Sequence, residues 1–244
     1  GEGLGNAFLS HIREVDAIVF VLRAFPDSDV PGPSDPLEHL RVVEIELALA
    51  DLASAEKALD KTPRSMKGDP SLKPMAAILE KCVASLSEGS PLYRAGLCAD
   101  DRAELKEHFF LTNKPVMAVL NIGEDQIGQE DEIAAPVRAE LDGAEVVVLS
   151  VQLEAEAALM DADERQEMLE ALGLGEGAVP RFLKSAYHML GLRTFLTTGE
   201  KESRAWTFRA GSSAPECAGV IHTDFQRGFI RAETIQAEEL LALG

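Results

Sequence analysis

Aromatic residues are scarce: they occupy 5% of the 244 positions, with one Trp and two Tyr, although 46% of the chain is hydrophobic. The core is therefore expected to rest on aliphatic packing. Only three cysteines occur, Cys82, Cys98 and Cys217. They are widely spaced and odd in number, and they form neither a CxxC pair nor a disulfide framework, so a reducing compartment, the cytoplasm, is expected. The longest apolar run, residues 17–22, is far too short to span a bilayer, and no membrane role is expected. Basic residues are few: 23 Lys and Arg face 42 Asp and Glu, a net charge of −19. That balance weighs against broad, non-specific nucleic-acid binding, though a local basic face can exist within an acidic whole. Several catalytic signatures are missing too. There is no Gly-x-x-x-x-Gly-Lys-Ser/Thr phosphate loop, no Gly-x-Ser-x-Gly elbow and no zinc spacing of Cys and His. His108, His188 and His222 are far apart, and His11 and His39 fall in helical patterns. Neither a catalytic residue nor a metal-ligand set can be named from the chain.

What is present reads as an α/β protein. Gly1-Glu2-Gly3-Leu4-Gly5 looks like a loop from inside a domain, with residues expected upstream of Gly1. Asn6 is positioned to cap a helix over residues 7–14, with Phe8, Leu9 and Ile12 on one face. Residues 16–25 carry a continuous apolar run, expected to be a strand buried on both sides. A proline-rich loop over residues 26–36 follows. Leu40, Val43, Glu44, Leu47, Ala50 and Leu52 then recur at three- and four-residue steps, predicting a helix over residues 37–62. Ile78, Leu79, Val83 and Leu86 predict a second helix over 75–86, so the pair forms a helical hairpin. Asp100 or Asp101 is the expected cap of a short helix running to His108. Residues 115–120 and 145–149 are two further apolar strands, with a helix expected over 136–141 between them. An acidic helical stretch over 154–172 stops at Gly173, and another helix covers 179–190. Beyond Gly191 the pattern turns to short alternating strands over 192–196, 203–208 and 228–232. Three buried strands separated by helices imply a parallel sheet with helices on both faces, followed by a small mixed unit.

In such sheets ligands bind beyond the carboxyl ends of the strands. Two of those ends are polar: Asn121-Ile122-Gly123-Glu124 after the second strand, and Ser150-Val151-Gln152 after the third. An Asn amide offers both a donor and an acceptor, as a purine edge requires. A carboxylate three residues on only accepts, which favours a base edge offering an amino group. A lone Asn after a strand is more often a loop cap, but two polar ends on neighbouring strands point to a site. Asn113-Lys114-Pro115-Val116 begins like a guanine-reading Asn-Lys-x-Asp, yet it precedes its strand and has Val at the acidic position.

These residues together resemble the YchF/Obg-like ATPases. Gly1 to Asn6 and Phe8-Leu9-Ser10-His11-Ile12-Arg13-Glu14 resemble the family's switch II region. Glu44-Ile45-Glu46-Leu47-Ala48-Leu49-Ala50-Asp51-Leu52 and Leu79-Glu80-Lys81-Cys82 resemble its helical insertion. Thr197-Thr198-Gly199-Glu200-Lys201-Glu202, Arg204-Ala205-Trp206-Thr207, Ile221-His222-Thr223-Asp224-Phe225 and Gly228 to Glu233 resemble its TGS domain.

The resemblance implies a P-loop G-domain-like parallel sheet over 1–36 and 110–190. It implies a helical hairpin insertion over 37–109 and a C-terminal β-grasp (TGS) domain over 191–244, with both the G domain and the TGS domain partial. It implies ATP in preference to GTP, read by an Asn-x-x-Glu motif at Asn121, Ile122 and Glu124 with Ser150 and Val151 beside it. It implies Mg2+ bound by residues outside this chain, slow ATP hydrolysis by the longer protein, and association with the ribosome or a ribosomal subunit. Departures are definite: no Walker A loop, no aspartate of Asp-x-x-Gly, and no His in the loop at Val30-Pro31-Gly32-Pro33. Hydrolysis by the chain alone is therefore not expected. The competing reading is a non-catalytic adaptor that binds partners through the TGS domain and hairpin. RNA contact is expected through the TGS-like stretch 192–232, where Arg193, Lys201, Arg204, Arg209, Arg227 and Arg231 nearly balance the acids. Arg204, Arg227 and Arg231 are the expected contact face.

Overall fold

The computed structural model describes residues 9, 11–26, 32–66, 73–199 and 202–243. The expected loop at Gly1 to Gly5 and the Asn6 cap lie outside these residues. Of the first expected helix, residues 9, 11 and 12 are helical and residues 13 and 14 form a turn. The chain divides into two compact units, Gly1–Phe182 and Leu183–Gly244.

The first unit is built on three parallel strands in the order β1 (Ile18–Arg23), β2 (Val116–Asn121), β3 (Val146–Leu149). All three are rich in β-branched and aliphatic residues, which suit a pleated, buried surface. Strand β2 is central and carries four consecutive buried residues, Met117 to Leu120. Strand β1 corrects the expectation of burial on both sides. Phe20 and Leu22 are buried, whereas Val21 is 62% exposed. Only one face of this strand is covered among the described residues, because its neighbours there are β2 and the helices beneath it.

Helix α1 (Pro36–Met66) has 31 residues, about 46 Å at 1.5 Å per residue. Its first half lays Leu40 and Leu47 on the sheet core with Phe20, Leu22 and Leu120. From its middle onward it lays Ala48 and Ala55 against Ile78, Leu79, Cys82 and Leu86 of helix α2 (Lys73–Ser87). The helices thus pack side by side as the periodicity predicts. Aliphatic packing prevails: among the described residues, Phe110 is the one aromatic in the set of largest fully buried side chains.

Two polar clamps tie α1 to its surroundings. Asp51, fully buried, accepts from the Leu111 N–H (3.0 Å), the Thr112 N–H (2.7 Å) and the Thr112 hydroxyl (2.9 Å), and pairs with Arg13 at 3.2 Å. The same guanidinium donates to Ala50 O, Ser54 Oγ and Phe109 O. Phe109 is the one described non-glycine residue at positive φ (53°), and that turn lets 110–112 wrap the carboxylate. In the second clamp, buried Glu44 accepts from Tyr93 and Arg94, and Arg94 also reaches Glu140 at 2.8 Å. Arg41 donates to the other Glu140 oxygen at 2.8 Å. Glu44 thus lies within the apolar stripe of α1 as a charge paired with Arg94, which is what burial of a carboxylate demands.

Several expected boundaries move. The helix near residue 100 is α3 (Ala99–Glu104), and its N-cap is Cys98, whose Sγ accepts from the Asp101 N–H at 3.4 Å. Asp100 and Asp101 instead occupy the first turn, where the helix dipole favours carboxylates. The helix expected at 136–141 is α4 (Glu130–Glu140), with Pro136 inside it rather than at its start. The acidic stretch is two helices, α5 (Val151–Ala157) and α6 (Ala162–Ala171). Asp161 restarts the chain by accepting from the Asp163 and Glu164 N–H groups at 3.1 and 3.0 Å.

Helix α7 (Ala178–Met189) leads to the antiparallel pair β4 (Leu192–Thr198) and β5 (Ser203–Arg209). In the second unit Tyr187 Oη lies 2.7 Å from Thr194 Oγ1 and 2.9 Å from Thr207 Oγ1. Helices α8 (Ala214–Ile221), α9 (Thr223–Arg227) and α10 (Ala237–Leu243) follow. The strand expected over 228–232 is not formed: this stretch has no regular structure, and Ile230 is 91% exposed. Alternation alone does not make a strand, since the backbone also needs a partner to pair with.

Candidate functional site

The strand register aligns the carboxyl ends. Arg23 pairs with Asn121, and Asn121 with Leu149, so the three chains leave the sheet at one level. The ladder runs one step further: Ala24 N–H donates to Asn121 O and Ile122 N–H to Leu149 O, both at 2.9 Å. Beyond it lies an open cleft of about 510 Å³ lined by Phe25, Asn121, Ile122, Gly123, Glu124, Asp125, Ser150 and Gln152.

Four of the five expected site residues, Asn121, Ile122, Glu124 and Ser150, line this one cleft. Ile122 is buried and Glu124 exposed. The fifth, Val151, is exposed and serves through its backbone: its N–H donates to Asn121 Oδ1 at 3.0 Å. That bond orients the amide, placing the acceptor on the protein and leaving Nδ2 as the donor. Ser150, buried, caps α5, its Oγ accepting from the Leu153 N–H at 3.5 Å. The third strand end is thus fixed by its own helix start.

Sequence reading assigned no role to Phe25, Gly123 or Gln126. Phe25 follows β1 and supplies an aromatic wall. Gly123 is the cap of a single 3-10 turn, Glu124–Gln126, and a Cβ there would stand 2.6 Å from Asp125 Oδ1. Gln126 bridges the strand ends: its Oε1 accepts from the Gly123 N–H and its Nε2 donates to Ala24 O, each at 2.8 Å. The aromatic after an apolar run was a readable signal. The Gln126 bridge was not, because its partner lies 102 residues away.

Asn113, Lys114, His108 and His222 make structural contacts. Asn113 Nδ2 donates to Arg102 O, and Lys114 Nζ donates to the carbonyls of Arg13 and Val15. This pair anchors the start of β2, at the opposite end of the strand from Asn121. His108 stacks on Phe110, and His222 Nδ1 accepts from the Asp224 N–H. No cluster of three or more His, Cys, Asp or Glu able to hold a metal occurs among the described residues. All three cysteines are free, and Cys82 is buried, its thiol pushed up to about 11 chiefly by burial. Among the expected RNA-facing residues, Arg204 lies over the Trp206 ring at 4.3 Å, while Arg227 ends α9 and Arg231 lies in the irregular stretch beyond it. All three are exposed.

Comparison with known proteins bears on this geometry. Residues 192–244 match the YchF-GTPase_C family, described as a protein of unknown function (DUF933). The whole chain is 41% identical to the ribosome-binding ATPase YchF of Bacillus subtilis over 252 residues, 69% of that protein's length. It is 37% identical to the human Obg-like ATPase 1, covering 98% of this chain and 63% of the human protein. The solved structure of the Schizosaccharomyces pombe YchF GTPase superposes with a TM-score of 0.83 at 32% identity, over 94% of this chain and 65% of that one. The chain thus spans roughly two thirds of the length of these relatives.

Proposed function

The chain belongs to the YchF/Obg-like ATPase family, and from that premise we propose that it forms the adenine-reading part of an ATPase that works on the ribosome. The observation that carries this reading is the cleft at the ends of β2 and β3, which Asn121 and Glu124 both line. Adenine presents an acceptor, N7, beside a donor, the N6 amino group. Guanine presents two acceptors, N7 and O6. With its Oδ1 held by Val151, Asn121 donates Nδ2 to N7 and reads any purine. Glu124 accepts from the adenine amino group and repels guanine O6, so it reads which purine. Phe25 closes the side of the ring, and Ile122 provides an apolar floor. Ser150 fixes the loop opposite.

The rest of the nucleotide is held elsewhere. The described residues offer no donor cluster for Mg2+, so no step is assigned to it. Hydrolysis is proposed for the longer protein, and the 244-residue chain alone is expected to turn over no ATP. The small unit is proposed to be the TGS domain, and the α1–α2 pair the hairpin inserted into a nucleotidase body. A cytoplasmic location fits a ribosomal partner, and no helix among the described residues is long and apolar enough to cross a membrane.

Titrating the full-length protein with ATP and GTP tests the reading. ATP should bind more tightly. Glu124→Gln should reduce that preference by about tenfold, the worth of one good hydrogen bond in a base-reading site. Asn121→Ala should weaken both nucleotides alike. Equal binding of the two, or of neither, by the wild type would remove the adenine claim and favour an adaptor.

A further inference from the structure

We infer that Gln126 is a positioning residue for nucleotide specificity in this cleft, holding the turn that carries Glu124, an inference that rests on the adenine reading above. Discrimination between purines depends on where one carboxylate stands. Glu124 is exposed and has no side-chain partner among the described residues, so the backbone of its turn alone places it. That turn is short: Gln126 N–H donates to Gly123 O at 3.1 Å and Ile127 N–H to Glu124 O at 3.3 Å. A one-turn helix of this kind has little stability of its own and needs an external tie.

The Gln126 side chain is that tie. It holds the residue before Glu124 through the Gly123 N–H, and the residue before Phe25 through Ala24 O. One amide thereby spaces the acidic wall of the cleft from the aromatic wall. The chemistry demanded is narrow. Gly123 offers a donor and Ala24 an acceptor, so the bridging group must accept at one atom and donate at its neighbour. Gln does both at this length. Glu would set an acceptor against Ala24 O, Lys would set a donor against the Gly123 N–H, and Leu would leave both backbone groups unmatched. The backbone at both ends is already fixed by the sheet ladder, through Ala24 N–H to Asn121 O and Ile122 N–H to Leu149 O. Loss of the bridge therefore frees the turn and Glu124 without releasing the strands. Asn121, tied separately to Val151, stays in place. The consequence is specific: purine binding persists while the choice between purines fades.

The experiment uses the full-length protein with ATP and GTP as probes, in the wild type, Gln126→Glu, Gln126→Leu and Glu124→Gln, with thermal unfolding of each. Both Gln126 variants are expected to lower the ATP-to-GTP affinity ratio by about tenfold, mainly through weaker ATP binding, with melting temperatures near the wild-type value. A purely structural role would weaken both nucleotides equally and leave the ratio unchanged. An unchanged ratio in Gln126→Glu and Gln126→Leu, alongside a collapsed ratio in Glu124→Gln, would overturn the role of Gln126 and leave the adenine reading standing. A wild type with no preference would overturn that reading, and the inference with it.

Discussion

Asp51 and Glu140 are both carboxylates paired with arginine, and the fold moves them in opposite directions. Burial pushes the Asp51 carboxyl up, against hydrogen bonds from Thr112 and Leu111 and the Arg13 charge that act to lower it. Glu140 is held low, first by the hydrogen bond from Arg41 and then by the Arg94 and Arg41 charges, with burial opposing. The linkage signs follow. A carboxyl raised on folding contributes stability below its unfolded value and loses it as pH rises through the folded one. A carboxyl lowered on folding contributes above its unfolded value and loses it as pH falls through the folded one. Urea unfolding of the wild type, Asp51→Asn and Glu140→Gln from neutral pH to about pH 4, near ordinary carboxylate values, should separate them. Relative to Asp51→Asn, the wild type should gain stability on acidification. Relative to Glu140→Gln, it should lose it. A constant offset of about 1–3 kcal/mol is also expected for Asp51→Asn, because Asn cannot accept from all of the donors around that site. Parallel pH profiles for the two variants would show that these environments do not shift the groups.

At the scale of elements, α4 holds a testable misfit. Pro136 lies seven residues into the helix, lacks the N–H that would pair with Glu132 O, and faces solvent. Since its ring is exposed, Pro136→Ala should stabilise the chain by about 1–3 kcal/mol, read as a higher urea midpoint at unchanged slope. No gain would mean that the helix already bends around the ring without cost. The same proline shows where sequence reading stops. Read locally it marks a helix start, and the acidic residues 130–132 that begin α4 look like loop. What was legible was whatever a single segment decides: the all-apolar runs of β2 and β3, the periodic faces of α1 and α2, and the polar residues at strand ends. What was not legible depended on distant partners. Val21 is as apolar as Val119, yet 62% exposed against 5%, and only the neighbouring elements distinguish them. Gly228 to Ala232 alternates like a strand and finds no ladder. Gln126 looks like an ordinary polar loop residue until Ala24 is beside it.

At the scale of the molecule, charge is divided sharply. The second unit, Leu183–Gly244, holds seven Lys and Arg against seven Asp and Glu, so the whole net charge of −19 resides in the first. A ribosome presents RNA phosphate, which repels a strongly acidic body and tolerates a neutral one bearing exposed arginines. For the ribosome association proposed above, the charge division favours the second unit as the contact, with Arg204, Arg227 and Arg231 as the proposed residues meeting phosphate, since guanidinium pairs with it in a planar, two-bond fashion. Arg204 is also stacked on Trp206, which limits its motion and lowers the entropy lost on binding. Co-sedimentation of the full-length protein with ribosomes across a salt series, with ATP, ADP and no nucleotide, tests this. Binding should fall as salt rises, and each arginine replaced by alanine should flatten the log–log slope by about one unit. Identical slopes for the wild type and the triple Arg→Ala variant would move the contact off this face. Identical binding in all three nucleotide states would separate the proposed ribosome contact from the proposed adenine site, even with the salt dependence intact.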